Sequence, residues 1–355
     1  MKITFICTPP NLSGGNRVIA IYADLLTEMG HDVTIVAQPH PHVSRKQALK
    51  RFLKGQRPQP RPEKSHFDNM KARLHLTPNT ERITDDDVPD GDVVIATFWT
   101  TAYMVANLSA AKGRKFYFVQ HHEIHNPLYS ELGAASYRLP LRKIVVSNWL
   151  RDVMRSEYGE GDVPVVPNAV DHEQFVFHPH DKRSVPTVSL MYSGKLFKGM
   201  DISLKALDIV KKRLPELSLL AFGTIDPLER LPLPGYATYH KSPPQTDIPR
   251  IYAASDVYLF GSSSEGFGLP VLEAMACGCP VVATRTGCAP DAIRDGFNGY
   301  VVDIDDVEAL ADRLVRVLSA APDVWKTMSQ NAANAVESYS WKDSARIFAA
   351  CLEEH

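Results

Sequence analysis

The 355-residue chain is 44% apolar and 23% charged, with 39 Lys+Arg against 41 Asp+Glu and a formal net charge of −2. That balance excludes disordered, collagen-like and disulfide-stapled classes and supplies no basic field for wholesale nucleic-acid binding. One hydrophobic core rarely serves more than about 250–300 residues, so two domains are expected.

In chain order, residues 3–7 read as a buried strand, followed by a loop with Gly14-Gly15 and an amphipathic helix over 17–29, where Ile21, Leu25 and Met29 recur every four residues. Further short apolar runs at 32–37, 92–97, 115–119 and 143–147 read as parallel strands. The prolines and polar residues of 165–182 mark a boundary. The rhythm then restarts, with strands expected at 187–193, 218–223, 257–260, 280–283 and 299–302, and helices at 201–212, 270–277 and 307–318. Strand–helix alternation of this kind predicts an α/β chain of two Rossmann-like, doubly wound domains, with ligands at the C-terminal ends of the strands.

Five cysteines without a Cys-x-x-Cys suggest neither a disulfide framework nor a zinc site, and reduced thiols point to a cytoplasmic protein. The opening apolar run is too short for a signal peptide, and no stretch reaches the ~20 apolar residues of a membrane helix. Residues 44–74 carry ten Lys/Arg against only Glu63 and Asp68. One reading makes 44–62 a contact for an anionic membrane surface or an anionic acceptor, placing the protein peripherally at the inner membrane face. The plainer reading is a solvated loop.

Four constellations could carry chemistry. The stretch from Ser262 to Gly278 follows an apolar strand and opens a helix with Pro270 in its first turn. Gly266 and Gly268 allow close approach of a ligand, and the helix start offers N–H groups to a phosphate. Glu265 and Glu273 would repel that phosphate unless they face hydroxyls, such as those of a sugar and a ribose. The turn Tyr192–Asp201 places Lys195 and Lys198 between glycines, where they could neutralise a diphosphate. Each of these stretches also reads as an ordinary exposed turn. Gly14-Gly15 is neither Gly-x-Gly-x-x-Gly nor a Walker loop, so it is a weak phosphate or sugar seat or a plain tight turn. His121, His122 and His125 with Glu123 invite a metal reading, but helical His-x-x-x-His spacing is missing, and site contacts from a strand-end loop fit better.

Together these residues resemble the retaining glycosyltransferases of family four. The carrying pieces are Glu265 and Glu273 with seven residues between them, the Ser193-Gly194-Lys195 turn with Lys198-Gly199, Val166-Pro167-Asn168-Ala169-Val170-Asp171, and Tyr339-Ser340-Trp341. The resemblance implies a GT-B fold, two Rossmann-like doubly wound domains facing a central cleft. It implies an acceptor-side domain over 1–170, a donor domain over 171–339, and a helix at 340–355 returning to the first. Glu265 would contact the donor sugar and Glu273 the ribose. Amides at Gly266, Phe267, Gly268 and Leu269 would meet the sugar and diphosphate, Lys195 and Lys198 the diphosphate, and Gly14 and Gly15 would approach from the first domain. His121 or His122 would face the sugar, and the sequence does not choose between them. Lys195 stands where the family more often has Arg, and Ala169 where Gly is usual.

The implied reaction moves a sugar from a UDP-, dTDP- or GDP-linked donor to a glycan, lipid-linked or small-molecule hydroxyl, with retention and without a metal or other cofactor. The alternatives are a GT-B sugar-nucleotide epimerase, a retaining glycosidase, which leaves Lys195 and Lys198 idle, and a non-catalytic sugar-nucleotide-binding subunit.

Overall fold

The computed structural model describes residues 1–40, 64–78 and 80–354. The basic segment 44–62 therefore lies outside the described residues. The chain divides into two compact units. The first comprises described residues of Met1–Val145, Met154–Pro164 and the C-terminal segment from Ala345; the second comprises Val146–Val153 and Val165–Ser344.

The first unit is built on a six-stranded parallel sheet of order β3-β2-β1-β4-β5-β6. Its strands are β1 (Lys2–Cys7), β2 (Asp32–Ala37), β3 (Arg73–Leu76), β4 (Val93–Ala96), β5 (Arg114–Val119) and β6 (Arg142–Val145). β1 is buried from its second residue onward, as a central parallel strand covered on both faces must be. It pairs with β2 from Lys2↔Asp32 and with β4 from Ile3↔Val93. The helix Gly14–Glu28 buries Val18, Ile19, Tyr22, Ala23 and Leu26, one stripe of a 3.6-residue repeat, and Ser13 caps its start by accepting from the Asn16 N–H. Phe348, on the helix Trp341–Glu353, completes this core. Its ring lies 4.9 Å from Phe118, 5.0 Å from Tyr22 and 6.1 Å from Phe5. The guanidinium groups of Arg114 and Arg142 donate to the Glu354 carbonyl at 2.9 and 2.7 Å, satisfying a carbonyl at the helix end.

The second unit repeats the plan with β7 (Thr187–Met191), β8 (Ser218–Gly223), β9 (Ala237–Lys241), β10 (Val257–Phe260), β11 (Val281–Thr284) and β12 (Gly299–Val302), in the order β12-β11-β10-β7-β8-β9. Counted from its own first strand, this is the same order as in the first unit, the doubly wound order whose direction reverses between strands one and four. The core joins Val188, Leu190, Leu219, Val257, Leu259 and Val282 to Leu207 and Val210 of the helix Met200–Arg213 and to Leu310 and Leu314 of the helix Val307–Leu318. Trp325 closes it, its indole N–H donating 2.8 Å to the Asp256 carbonyl.

β3 and β9 have no counterpart among the strands expected from the sequence. Both are edge strands, fully exposed in β3 and largely so in β9, so neither carries the continuous apolar run that betrays a buried parallel strand. Among the described residues no helix is long and apolar enough to cross a membrane.

Candidate active site

In the second unit the turn Lys195–Gly199 follows β7 and the loop Ser262–Gly268 follows β10. β7 and β10 are the neighbours at which strand order reverses, so both segments emerge at the switch point where doubly wound sheets bind ligands. The two segments are tied together. The Ser263 amide donates 2.9 Å to the Phe197 carbonyl, and Gly199 takes the left-handed conformation (φ 58°), where a Cβ would overlap the Gly261 carbonyl oxygen. The loop is braced from other sides as well. The Thr284 hydroxyl donates to the Ser262 carbonyl at 2.5 Å, the Ser147 hydroxyl to the Gly266 carbonyl at 2.7 Å, and the Cys288 amide to the Phe267 carbonyl at 2.6 Å.

Within this frame Glu265 is buried, only 4% exposed. The Lys198 ammonium donates to its Oε1 at 2.5 Å, and the Ser262 hydroxyl donates to the same oxygen at 2.9 Å. A carboxylate held so far from water needs a counterion and hydrogen-bond donors, and here it has both. The pairing bears on the electrostatic difficulty raised by the sequence, because Lys198 offsets the Glu265 charge. Lys195 is exposed, and both ammonium groups flank the Phe197 ring, at 5.5 and 5.8 Å from its centroid.

The helix Leu269–Ala276 starts from Gly268 (φ 84°) with Pro270 in its first turn. Its leading N–H groups lack intrahelical acceptors, and its dipole is positive at that end, which suits an anion. Glu273, 8% exposed, sits one turn in, and the Tyr252 hydroxyl donates to its Oε2 at 3.4 Å. The second unit therefore brings Lys195, Lys198, Glu265, Gly266, Phe267, Gly268, Leu269 and Glu273 to one edge of its sheet.

In the first unit Gly14 and Gly15 begin the helix that follows β1, again beside the reversal between β1 and β4. Neither has a positive φ. Among the described residues, a Cβ at Gly14 would meet nothing within 4 Å, and one at Gly15 would reach only the Gln120 side chain at 3.9 Å.

The structure separates the two histidines after β5. His122 is 4% exposed and packed edge-on to the Tyr158 ring, with its Nε2 2.6 Å from the Tyr158 hydroxyl. Burial lowers its pKa to about 4, and the neighbouring His125 and His121 push the same way. The ring is thus neutral near pH 7, and the Glu157 carboxylate 3.7 Å away is a polar neighbour rather than an ion-pair partner. Burial likewise raises the Tyr158 hydroxyl to about 12, so it stays protonated. His121 is only half-buried; its Nδ1 lies 3.0 Å from the His122 carbonyl. No group of three or more His, Cys, Asp or Glu among the described residues is arranged to hold a metal ion.

Sequence reasoning gave no role to Ser262, Ser147, Thr284 or Tyr252. Ser262 alone had a local signal, a hydroxyl three residues before Glu265; the others reach the site from distant positions in the chain.

Comparison with known proteins finds the chain similar to sugar transferases. The model described as Glycosyltransferase Family 4 matches residues 12–174, and the one described as Glycosyl transferases group 1 matches 177–335, so the two together cover nearly all of it. A GDP-mannose-dependent alpha-(1-6)-phosphatidylinositol monomannoside mannosyltransferase of Mycolicibacterium smegmatis is 33% identical over 171 residues, 44% of this chain and 39% of the relative. A D-inositol 3-phosphate glycosyltransferase of Mycobacterium marinum is 34% identical over 203 residues, 51% of this chain and 43% of the relative. The chain spans less than half the length of these curated relatives. Among solved structures, HepE of Anabaena in complex with UDP and glucose superposes with a TM-score of 0.72 at 17% identity over 99% of both chains. Sucrose-phosphate synthase of Thermosynechococcus elongatus gives 0.71 at 16% identity, over 99% of this chain and 98% of that one. At such identities the likeness concerns the fold, which is of the GT-B class with two Rossmann-like units.

Proposed function

The chain belongs to the family-four glycosyltransferases, and on that premise we propose that it moves a sugar from a nucleoside diphosphate donor to an acceptor hydroxyl with retention of anomeric configuration. The observation that carries the reading is the buried Glu265 paired with the half-buried Lys198 at the switch point of the second sheet, beside the start of a helix. An anion-seeking lysine and helix terminus next to a sequestered carboxylate suit a ligand with a diphosphate at one end and hydroxyls at the other.

In this proposal Lys195, Lys198 and the amides from Gly266 to Leu269 receive the diphosphate, and Glu273 accepts from the ribose hydroxyls. As the bond between the anomeric carbon and the phosphate oxygen breaks, negative charge gathers on the leaving diphosphate and strengthens its contacts with these donors. Glu265 faces the sugar as its ring becomes oxocarbenium-like. The acceptor oxygen then bonds to the anomeric carbon on the face the diphosphate left, and its proton passes to a phosphate oxygen. No metal or other cofactor is needed for that sequence. For the first unit we propose donor contacts at Gly14 and Gly15. Of the two histidines, His121 is the one that turns to the sugar, since His122 is enclosed by tyrosines.

The donor is drawn from UDP-, GDP- and dTDP-linked sugars. One relative is named for GDP-mannose and one fold neighbour was solved with UDP. The acceptor is a glycan, a lipid-linked hydroxyl or a small molecule. A reducing, cytoplasmic setting agrees with five free cysteines, four of them buried. Contact of residues 44–62 with an anionic membrane surface belongs to the same proposal.

The test is a panel of nucleotide sugars assayed for nucleoside diphosphate release and for transfer to hydroxyl acceptors, with the product anomer read by NMR. Transfer with retention that survives EDTA is expected. Inversion, strict metal dependence, or turnover of donor to an epimer without any acceptor would overturn it.

A further inference from the structure

Glu265 is held by two donors of different kind, and both reach the same oxygen. Lys198 and Ser262 each donate to Oε1, at 2.5 and 2.9 Å. Ser262 is 2% exposed, and its own carbonyl accepts from the Thr284 hydroxyl at 2.5 Å and the Thr286 hydroxyl at 3.4 Å. It is therefore pinned to β11 and the turn after it. Lys198 lies on a turn and keeps 19% of its side chain exposed.

The proposed function, on which this inference rests, gives Lys198 a second anion to serve once a diphosphate arrives. An ammonium shared between a carboxylate and a diphosphate holds each less tightly than it would hold one alone. A neutral hydroxyl that is fixed in place faces no such competition, because a serine anchored through its backbone cannot follow the phosphate. We propose that Ser262 is a positioning residue. Its hydroxyl fixes Oε1 of Glu265, so that Oε2 is the oxygen presented to the donor sugar, and it keeps the carboxylate in register while the diphosphate engages Lys198. Displacing a reacting group by about 1 Å can cost on the order of a hundredfold in rate, so one well-placed donor has a measurable effect.

The experiment compares wild type, Ser262→Ala, Ser262→Thr and Glu265→Gln. The donor is whichever of UDP-glucose, UDP-N-acetylglucosamine, GDP-mannose and dTDP-glucose the wild type turns over, and the affinity of the matching nucleoside diphosphate is measured for each variant. Ser262→Ala is expected to lower kcat about ten- to hundredfold. KM for the donor and affinity for the diphosphate should stay within about twofold. Ser262→Thr, which keeps the hydroxyl, should recover most of the loss. Wild-type kcat in Ser262→Ala alongside an inactive Glu265→Gln would overturn this inference alone. A parallel fall in kcat and diphosphate affinity would also overturn it, since that marks a collapsed loop. Full activity in Glu265→Gln, or no turnover of any donor by the wild type, would sink the parent reading and this one with it.

Discussion

The turn after β7 and the turn after β1 occupy the same place in the same strand order, yet they are made differently. After β7 the chain's own packing dictates the turn. Gly199 is left-handed, its missing side chain makes room for the Gly261 carbonyl, and the buried Glu265 is fixed by Lys198 and Ser262. After β1 the glycines have ordinary dihedrals, and a Cβ at Gly14 would meet no atom of the described residues within 4 Å. In the second unit, then, the fold calls on the same residues that the proposed reaction would use, whereas in the first the two can be pulled apart. A site rigidified by its own packing is preorganised for charge, and variants there should lose rate and stability together more often than variants in the first unit.

The sharpest way to break this comparison is to remove the carboxylate. Glu265→Gln is expected to lower sugar transfer about a thousandfold, the range seen when a preorganised electrostatic group is lost. His121→Ala, in the first unit, should cost about ten- to a hundredfold. Single-turnover rates with whichever nucleotide sugar the wild type turns over would check both. Equal, small losses at the two positions would mean the second unit does not hold the reacting centre.

The next largest effect concerns stability. Gly199→Ala is expected to destabilise the second unit by about 3–4 kcal/mol, because it combines a left-handed backbone with an overlap against backbone that cannot swing aside. Urea unfolding followed at Trp325, buried in that unit's core, would report it. An unchanged midpoint would show that the turn is looser than its packing implies.

A third prediction turns to the first unit and to pH. The His122 pKa falls from 6.5 to about 4 on folding. Between those values the unfolded chain binds the extra proton and the folded chain does not. Stability from this ring is therefore flat above pH 6.5, decreases as pH falls from 6.5 to about 4, and levels off below. The loss is on the order of 3 kcal/mol, from 1.36 kcal/mol per pH unit over that interval. Replacing His122 by Gln, which does not titrate, should flatten that part of the stability profile, and an unaltered slope would assign it to other groups.

What could be read in advance follows the same division. The central strands were legible because each is a short apolar run covered on both faces, as with Val257–Phe260. β3 and β9 were not, because Arg73–Leu76 and Ala237–Lys241 are edges whose burial supplies no pattern. The candidate site of the second unit was legible as a cluster because Glu265, Gly268 and Glu273 lie within one strand–turn–helix. The contact between Lys198 and Glu265 was not, since 67 residues separate them and only the adjacency of β7 and β10 brings their turns together. The difference between His121 and His122 was likewise hidden, because it depends on Tyr137 and Tyr158 arriving from later in the chain.

The smallest expected effect is the one that discriminates best. Gly14→Ala adds a methyl group where no atom of the described residues lies within 4 Å and where φ is not positive, so folding should not suffer. Alanine is favoured over glycine in helices by up to about 1 kcal/mol, and a gain of a few tenths is expected at this first helical position. The glycine is therefore not required by the fold. If a diphosphate or its sugar approaches the backbone here, the same methyl should weaken nucleoside diphosphate binding by about three- to tenfold, or 0.7–1.4 kcal/mol. Calorimetric titration beside a thermal melt separates the possibilities. Weaker binding with an undiminished melting temperature assigns the glycine to a ligand. Unchanged binding makes Gly14-Gly15 a plain turn and removes it from the donor contacts, while lost stability would contradict the open space around it.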